Sequence, residues 1–164
     1  MSEPIPILVV DDRANNLAVV QSVLDSPDYH LVMVQSAQDA LMALLHTEFA
    51  ALLLDVKMPE ITGFDLARII HERKASRHLP IIFISGHMTD SQHAKLGYKA
   101  GGVDYITKPF DPEVLRAKVA VFADLYRQRQ ALTAEAAALR GENVQLRQGG
   151  AAQNPKENTA APGK

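Results

Sequence analysis

Short apolar runs alternate along this chain with stretches whose apolar residues recur at helical spacing, and that alternation narrows the possible folds more than any other feature. The runs are Ile5–Val10, Leu31–Val34, Leu52–Leu54, Pro80–Ile84 and Val103–Thr107. Between them, Leu17, Val20 and Leu24 mark one helix, Ala40, Leu41, Leu44 and Leu45 a second, and Phe64, Ala67 and Ile70 or Ile69 a third. A weaker helix is expected over residues 90–100. Ser26-Pro27-Asp28 ends the first helix and Thr62 is placed to cap the third. Continuous apolar runs of strand length suit strands buried on both faces. Five of them alternating with helices predict an α/β chain built on a doubly wound, five-stranded parallel sheet.

In such a sheet, ligands bind beyond the carboxyl ends of the strands, and the residues at those ends are unusual here. The first run breaks into Asp11-Asp12, the third delivers Asp55 and is stopped at Pro59, the fourth ends in Ser85-Gly86, and the fifth is closed by Lys108-Pro109-Phe110. One strand-end aspartate alone reads as a helix cap. Three carboxylates on neighbouring strand ends are different, because like charges that close need a cation. All-oxygen ligation favours a hard ion, and Mg2+ suits a site that keeps waters and shares its coordination with a phosphate. Ser85 and Lys108 would face the same pocket, so metal and ammonium could neutralise phosphoryl oxygens while an aspartate attacks phosphorus.

These residues resemble the receiver domain of bacterial two-component response regulators, over about residues 5–124. The matching motifs are Val10-Asp11-Asp12, Leu54-Asp55 with Met58-Pro59 and Gly63, Ile84-Ser85, and Asp104-Tyr105 with Lys108-Pro109-Phe110, in order and at receiver spacing. The resemblance implies a flavodoxin-like sheet of order 2-1-3-4-5, with Asp55 taking phosphate from a histidine kinase or phosphotransfer protein. It implies that Asp11, Asp12 and Asp55 hold Mg2+ with the Lys57 carbonyl, that Lys108 and Ser85 bind the phosphoryl group, and that Lys108-Pro109 is a cis peptide. Ser85 and Tyr105 would be the switch residues, and Lys57 and His87 would tune phosphate lifetime through access of water. Such a chain is a signalling switch that catalyses only its own phosphotransfer and dephosphorylation. The interval from Ser85 to Lys108 is about one residue longer than in common receivers, which leaves the helix over 90–100 less defined.

From Pro112 the helical pattern runs on past what a closing helix needs, and Leu125, Leu132, Leu139 and Leu146 stand seven apart. Taken as heptad d positions, they set Phe122, Arg129, Ala136 and Asn143 at a, with an Asn of the kind that fixes dimer register. Glu135 and Arg140 then fall at g and e, where a parallel homodimer can pair them. The expected organisation is a receiver over 1–124, a helical coil over 125–147, and a disordered tail over 148–164 with no apolar residue larger than alanine. The face expected to change on phosphorylation comprises the helix over 90–100, the fifth strand and the closing helix, signalling to a downstream protein.

Composition removes several alternatives. A formal net charge of −2 argues against direct nucleic-acid binding. The absence of cysteine fits a reducing compartment, and no signal peptide or membrane-length apolar run is visible, so a cytoplasmic protein is expected. An aspartyl phosphatase would need an acid/base aspartate where Lys57 stands, and a flavin or nucleotide binder a phosphate loop where Asp11-Asp12-Arg13-Ala14 stands. The remaining histidines, His30, His46, His71, His78 and His93, show no metal-ligand spacing. Two alternatives stay open: the front module of a longer regulator, since similar receivers with long final helices precede kinase, phosphatase or cyclic-nucleotide output modules, or a pseudo-receiver scaffold that is never phosphorylated.

Overall fold

The computed structural model describes residues 3–86, 95 and 104–152, with side chains to 147. His87, His93, the helix expected over 90–100 and the last residues of the tail lie outside the described residues. The chain divides into two compact units, Met1–Tyr126 and Arg127–Lys164, each considered by itself.

The first unit is a five-stranded parallel sheet in the order β2-β1-β3-β4-β5. Its strands are β1 (Ile5–Val10), β2 (Tyr29–Val34), β3 (Ala51–Asp55), β4 (Ile81–Ser85) and β5 (Asp104–Thr107). Helices α1 (Ala14–Leu24), α2 (Ala37–His46) and α3 (Gly63–Glu72) connect the first four, and a closing helix, Pro112–Ala152, follows β5. Alternate residues of each strand serve opposite cores, as the two-residue period of a strand requires. Ile7, Val9 and Leu53 meet Leu17 and Val20 of α1 and Leu115 and Val119 of the closing helix. Leu8, Leu52 and Phe83 meet Ala40 of α2 and Leu66 and Ile70 of α3. Both faces of β3 and β4 are buried along their whole length, which is why their sequences show no polar alternation.

Local chemistry sets the helix starts. Ser36 and Thr62 accept the backbone N–H of Asp39 and Asp65 at 3.1 Å, capping α2 and α3. Leu45 departs from the expected core face and is 65% exposed. The stripe of α2 that reaches the core is Ala37, Ala40, Leu41, Ala43 and Leu44, and Leu45 lies beyond it around the helix. Phe122 belongs to its own domain: it packs half-buried against the core with Tyr126, on the side of Val119 and Ala123.

In the second unit the helix continues to Ala152, so residues 148–152, expected in the tail, are helical. Leu132, Leu139 and Leu146 are 66, 54 and 66% exposed. Among the described residues, no helix is long and apolar enough to cross a membrane.

Candidate phosphoryl-transfer site

The register of the parallel sheet gathers the polar strand ends at one edge. Val10 pairs with Leu54 and Asp55 with Ile84, so Asp11, Asp12, Asp55 and Ser85 leave adjacent strands at nearly the same level. Lys108 is held beside them because its N–H donates to the Ser85 carbonyl at 2.8 Å, and its bond to Pro109 is cis.

One oxygen from each of Asp11, Asp12 and Asp55 lies within 4.8 Å of the others. Asp11, Asp55 and Ser85 are buried, at 5, 8 and 5% exposure. The Lys108 ammonium stands 3.1 Å from Asp11 Oδ2 and 3.4 Å from Asp55 Oδ1, bridging the two most buried carboxylates. One cation among three carboxylates leaves the group short of positive charge, and Asp55 records it. Burial, and next the charge of Asp11, push its carboxyl up from 3.8 to about 6, against the opposing pull of Lys108. A closely spaced, partly buried, all-carboxylate donor set of this kind fits a hard divalent cation such as Mg2+.

Two residues support the carboxylates: Asn16, not singled out in the sequence, and Gly63, named there only as part of a motif. Asn16 Nδ2 donates to Asp11 Oδ1 at 3.3 Å, and the Arg13 backbone N–H donates to the same oxygen at 3.0 Å. Asp11 thus anchors the start of α1, whose cap residue Arg13 makes no side-chain cap bond of its own. The signal was a polar side chain in the first turn of the helix that follows the acidic pair. Gly63 is the second. A Cβ there would collide with the Asp55 carbonyl oxygen and come within 3.0 Å of Val56 Cα, so α3 can begin against the end of β3 only without a side chain.

A cleft of about 870 Å3 opens over the carboxylates, with Lys57, Arg13 and Arg68 among its lining residues. The Lys57 side chain is exposed. Tyr105 is half-buried with its ring centroid 5.9 Å from that of Phe83, which in turn meets Phe64 at 4.9 Å. His87 lies outside the described residues. His71 has a structural contact, with Nε2 2.9 Å from the Leu79 carbonyl oxygen.

The response regulator receiver domain family matches residues 7–120, which cover the sheet, the acidic strand ends and Lys108. The chain belongs to that family. Phosphoryl acceptance on an aspartate is general among receivers. The transcriptional regulatory protein ResD of Bacillus subtilis is 34% identical over 114 residues, which cover 68% of this chain and 46% of ResD. The 3',5'-cyclic-nucleotide phosphodiesterase regA of Dictyostelium discoideum is 32% identical over 76% of this chain and 16% of its own length. Among solved structures, the receiver domain of a sensor histidine kinase from Pseudomonas aeruginosa, with magnesium ion coordinated in its active-site cleft, is 25% identical. It matches with a TM-score of 0.67 over 74% of this chain and 98% of its own. The chain spans about half or less of the length of the curated relatives it matches.

Proposed function

We propose that Asp55 accepts a phosphoryl group from a histidine kinase or phosphotransfer protein and that the receiver passes this event to a partner through its closing helix. The observation that carries the reading is the meeting of the Asp11, Asp12 and Asp55 carboxylates within 4.8 Å, with Lys108 bridging two of them. A carboxylate oxygen of Asp55 attacks phosphorus, a P–O bond forms, and the P–N bond to the donor imidazole breaks with its electron pair leaving on nitrogen. Lys108 balances the charge of the phosphoryl oxygens, and the Ser85 hydroxyl donates to one of them. Asp11, Asp12, Asp55 and the Lys57 carbonyl would hold Mg2+, which supplies further charge neutralisation at those oxygens. Lys57 at the cleft mouth and His87 govern access of water and so the lifetime of the acyl phosphate.

Ser85 and Tyr105 form the switch in this reading. Ser85 turns toward the phosphoryl group, and Tyr105 moves further inward as one of two preformed states gains population. The protein acts as a signalling switch in the cytoplasm, organised as a receiver over 1–124, a coil over 125–147 and a tail. The coil forms a parallel homodimer through Leu125, Leu132, Leu139, Asn143 and Leu146, a reading supported by the exposure of its leucines. A second reading, that this chain is the receiver portion of a longer regulator, is favoured by the greater length of its relatives.

Incubation with acetyl phosphate and Mg2+, followed by intact mass measurement, tests the central step. One phosphoryl adduct on the wild type and none on Asp55→Asn is the expected result. A wild type that gains nothing would instead favour a pseudo-receiver scaffold, and an equal gain on both would put the acceptor elsewhere.

A further inference from the structure

Four cationic residues line the cleft over the carboxylates: Arg13, Lys57, Arg68 and Lys108. Two of them are committed. Lys108 bridges Asp11 and Asp55, and Arg68 pairs with Asp65 on its own helix. Lys57 already has a place at the cleft mouth in the function proposed above. Arg13 has none, and its guanidinium pairs with no other described residue.

An exposed arginine is ordinary, but the backbone that carries this one is fastened to the acidic group. The Arg13 N–H donates to Asp11 Oδ1 at 3.0 Å, while the residue as a whole is exposed. Its extended backbone, with φ −99° and ψ 117°, keeps it just outside α1. The side chain therefore starts from a fixed point at the lip of the cleft and is open to water.

Charge decides what it can meet there. A divalent cation and Lys108 together balance the charges of Asp11, Asp12 and Asp55, so the floor of the cleft needs no further cation. A negative group arriving from solvent does. In-line displacement sets the attacking and leaving atoms on opposite sides of phosphorus. Asp55 attacks from the floor, where it is 8% exposed, so the leaving group points outward to the lip. Donors differ in what they leave. With an acyl phosphate, an Asp55 oxygen bonds to phosphorus, the bridging P–O bond breaks, and its electron pair departs on a carboxylate oxygen as a full negative charge. With a phosphoramidate, the P–N bond breaks and the already protonated nitrogen departs as a neutral amine.

We propose that Arg13 binds the departing carboxylate, so that this site takes small acyl phosphates as a second class of donor and prefers them to small phosphoramidates. The inference rests on Asp55 being the acceptor and adds the residue that selects the donor. A guanidinium suits the task, because its planar fork matches a carboxylate with two parallel N–H bonds. The cleft, at about 870 Å3, has the size of a small-molecule site, so donor and leaving group fit without a protein partner.

The full chain and its Arg13→Gln, Arg13→Lys and Arg68→Gln variants would be incubated with acetyl phosphate or with phosphoramidate in Mg2+, and the adduct followed by intact mass. The readout is the ratio of the two second-order rate constants. Both donors carry the same phosphoryl group, so damage to folding or metal binding lowers both rates and leaves the ratio alone. Arg13→Gln should lower the ratio about threefold or more, the scale of one exposed ion pair. Arg13→Lys, which keeps the charge and loses the fork, should fall between Arg13→Gln and the wild type. Arg68→Gln should move the ratio less than Arg13→Gln, since Arg68 is held by Asp65. An unchanged ratio in Arg13→Gln overturns the proposal and leaves Asp55 as the acceptor. An equal shift in Arg68→Gln assigns the preference to the general field of the cleft and also overturns it. No adduct on the wild type from either donor overturns both this inference and the acceptor reading beneath it.

Discussion

Asp55 is where the electrostatics of the site converge, and its titration gives the sharpest test at the level of single residues. Its folded carboxyl is raised from 3.8 to about 6, so between those values the native chain binds more protons than the unfolded one. Stability linked to this group is therefore fully present below about pH 4 and is lost as pH rises through 6, by at most roughly 3 kcal/mol. In EDTA at pH 7.5, Asp55→Asn should be more stable than the wild type by about 1–3 kcal/mol in urea unfolding, a gap that closes toward pH 4. Millimolar Mg2+ should stabilise the wild type more than the variant. A variant less stable than the wild type at pH 7.5 would show that repulsion and burial do not dominate. Lys108→Met removes the ammonium that bridges Asp11 and Asp55, and the metal-free protein should lose about 2 kcal/mol at pH 7.5. Pairing it with Asp55→Asn should recover part of that loss, because only one buried carboxylate then lacks a cation.

At the scale of elements, α3 and β3 are joined by a contact that tolerates no side chain. Gly63→Ala would drive its Cβ into the Asp55 carbonyl oxygen, and backbone there cannot yield as a flexible side chain would. The expected cost is about 1–3 kcal/mol. A fall of about tenfold or more in the rate of Asp55 phosphorylation by acetyl phosphate should accompany it, since the carboxylate is displaced. Thr62→Ala removes only the cap one residue earlier and should cost about 1 kcal/mol in chemical unfolding, with little change in phosphorylation rate. The two together separate the stability of α3 from its role in placing Asp55. The elements themselves were legible in the chain because strand and helix periods differ and because Thr62 and Pro112 mark helix starts. Leu45 was misplaced for a related reason: spacing marks an apolar stripe, but how much of its width meets the sheet depends on where the helix lies.

For the whole molecule, the exposed leucines of the extension predict that assembly and phosphorylation are separable. Leu132→Asp with Leu139→Asp should leave the receiver folded and Asp55 reactive while sedimentation shows a monomer, because both side chains are open to water in the single chain. Loss of phosphorylation in that variant would mean that the receiver depends on its dimer. The sequence by itself determined the doubly wound sheet, the acidic pair, Asp55, Ser85 and Lys108, since strand ends, charges and proline stops are local and their order along the chain sets which edge they reach. Tertiary structure decided what depends on packing across the sheet: that Asn16 braces Asp11, that Gly63 must lack a side chain, that Asp55 is pushed up to about 6, and that Phe122 faces inward while Val121 faces out. Each of these turns on distances of a few ångströms between residues far apart in sequence, or on the rotation of a helix about its axis, and neither is written in spacing alone.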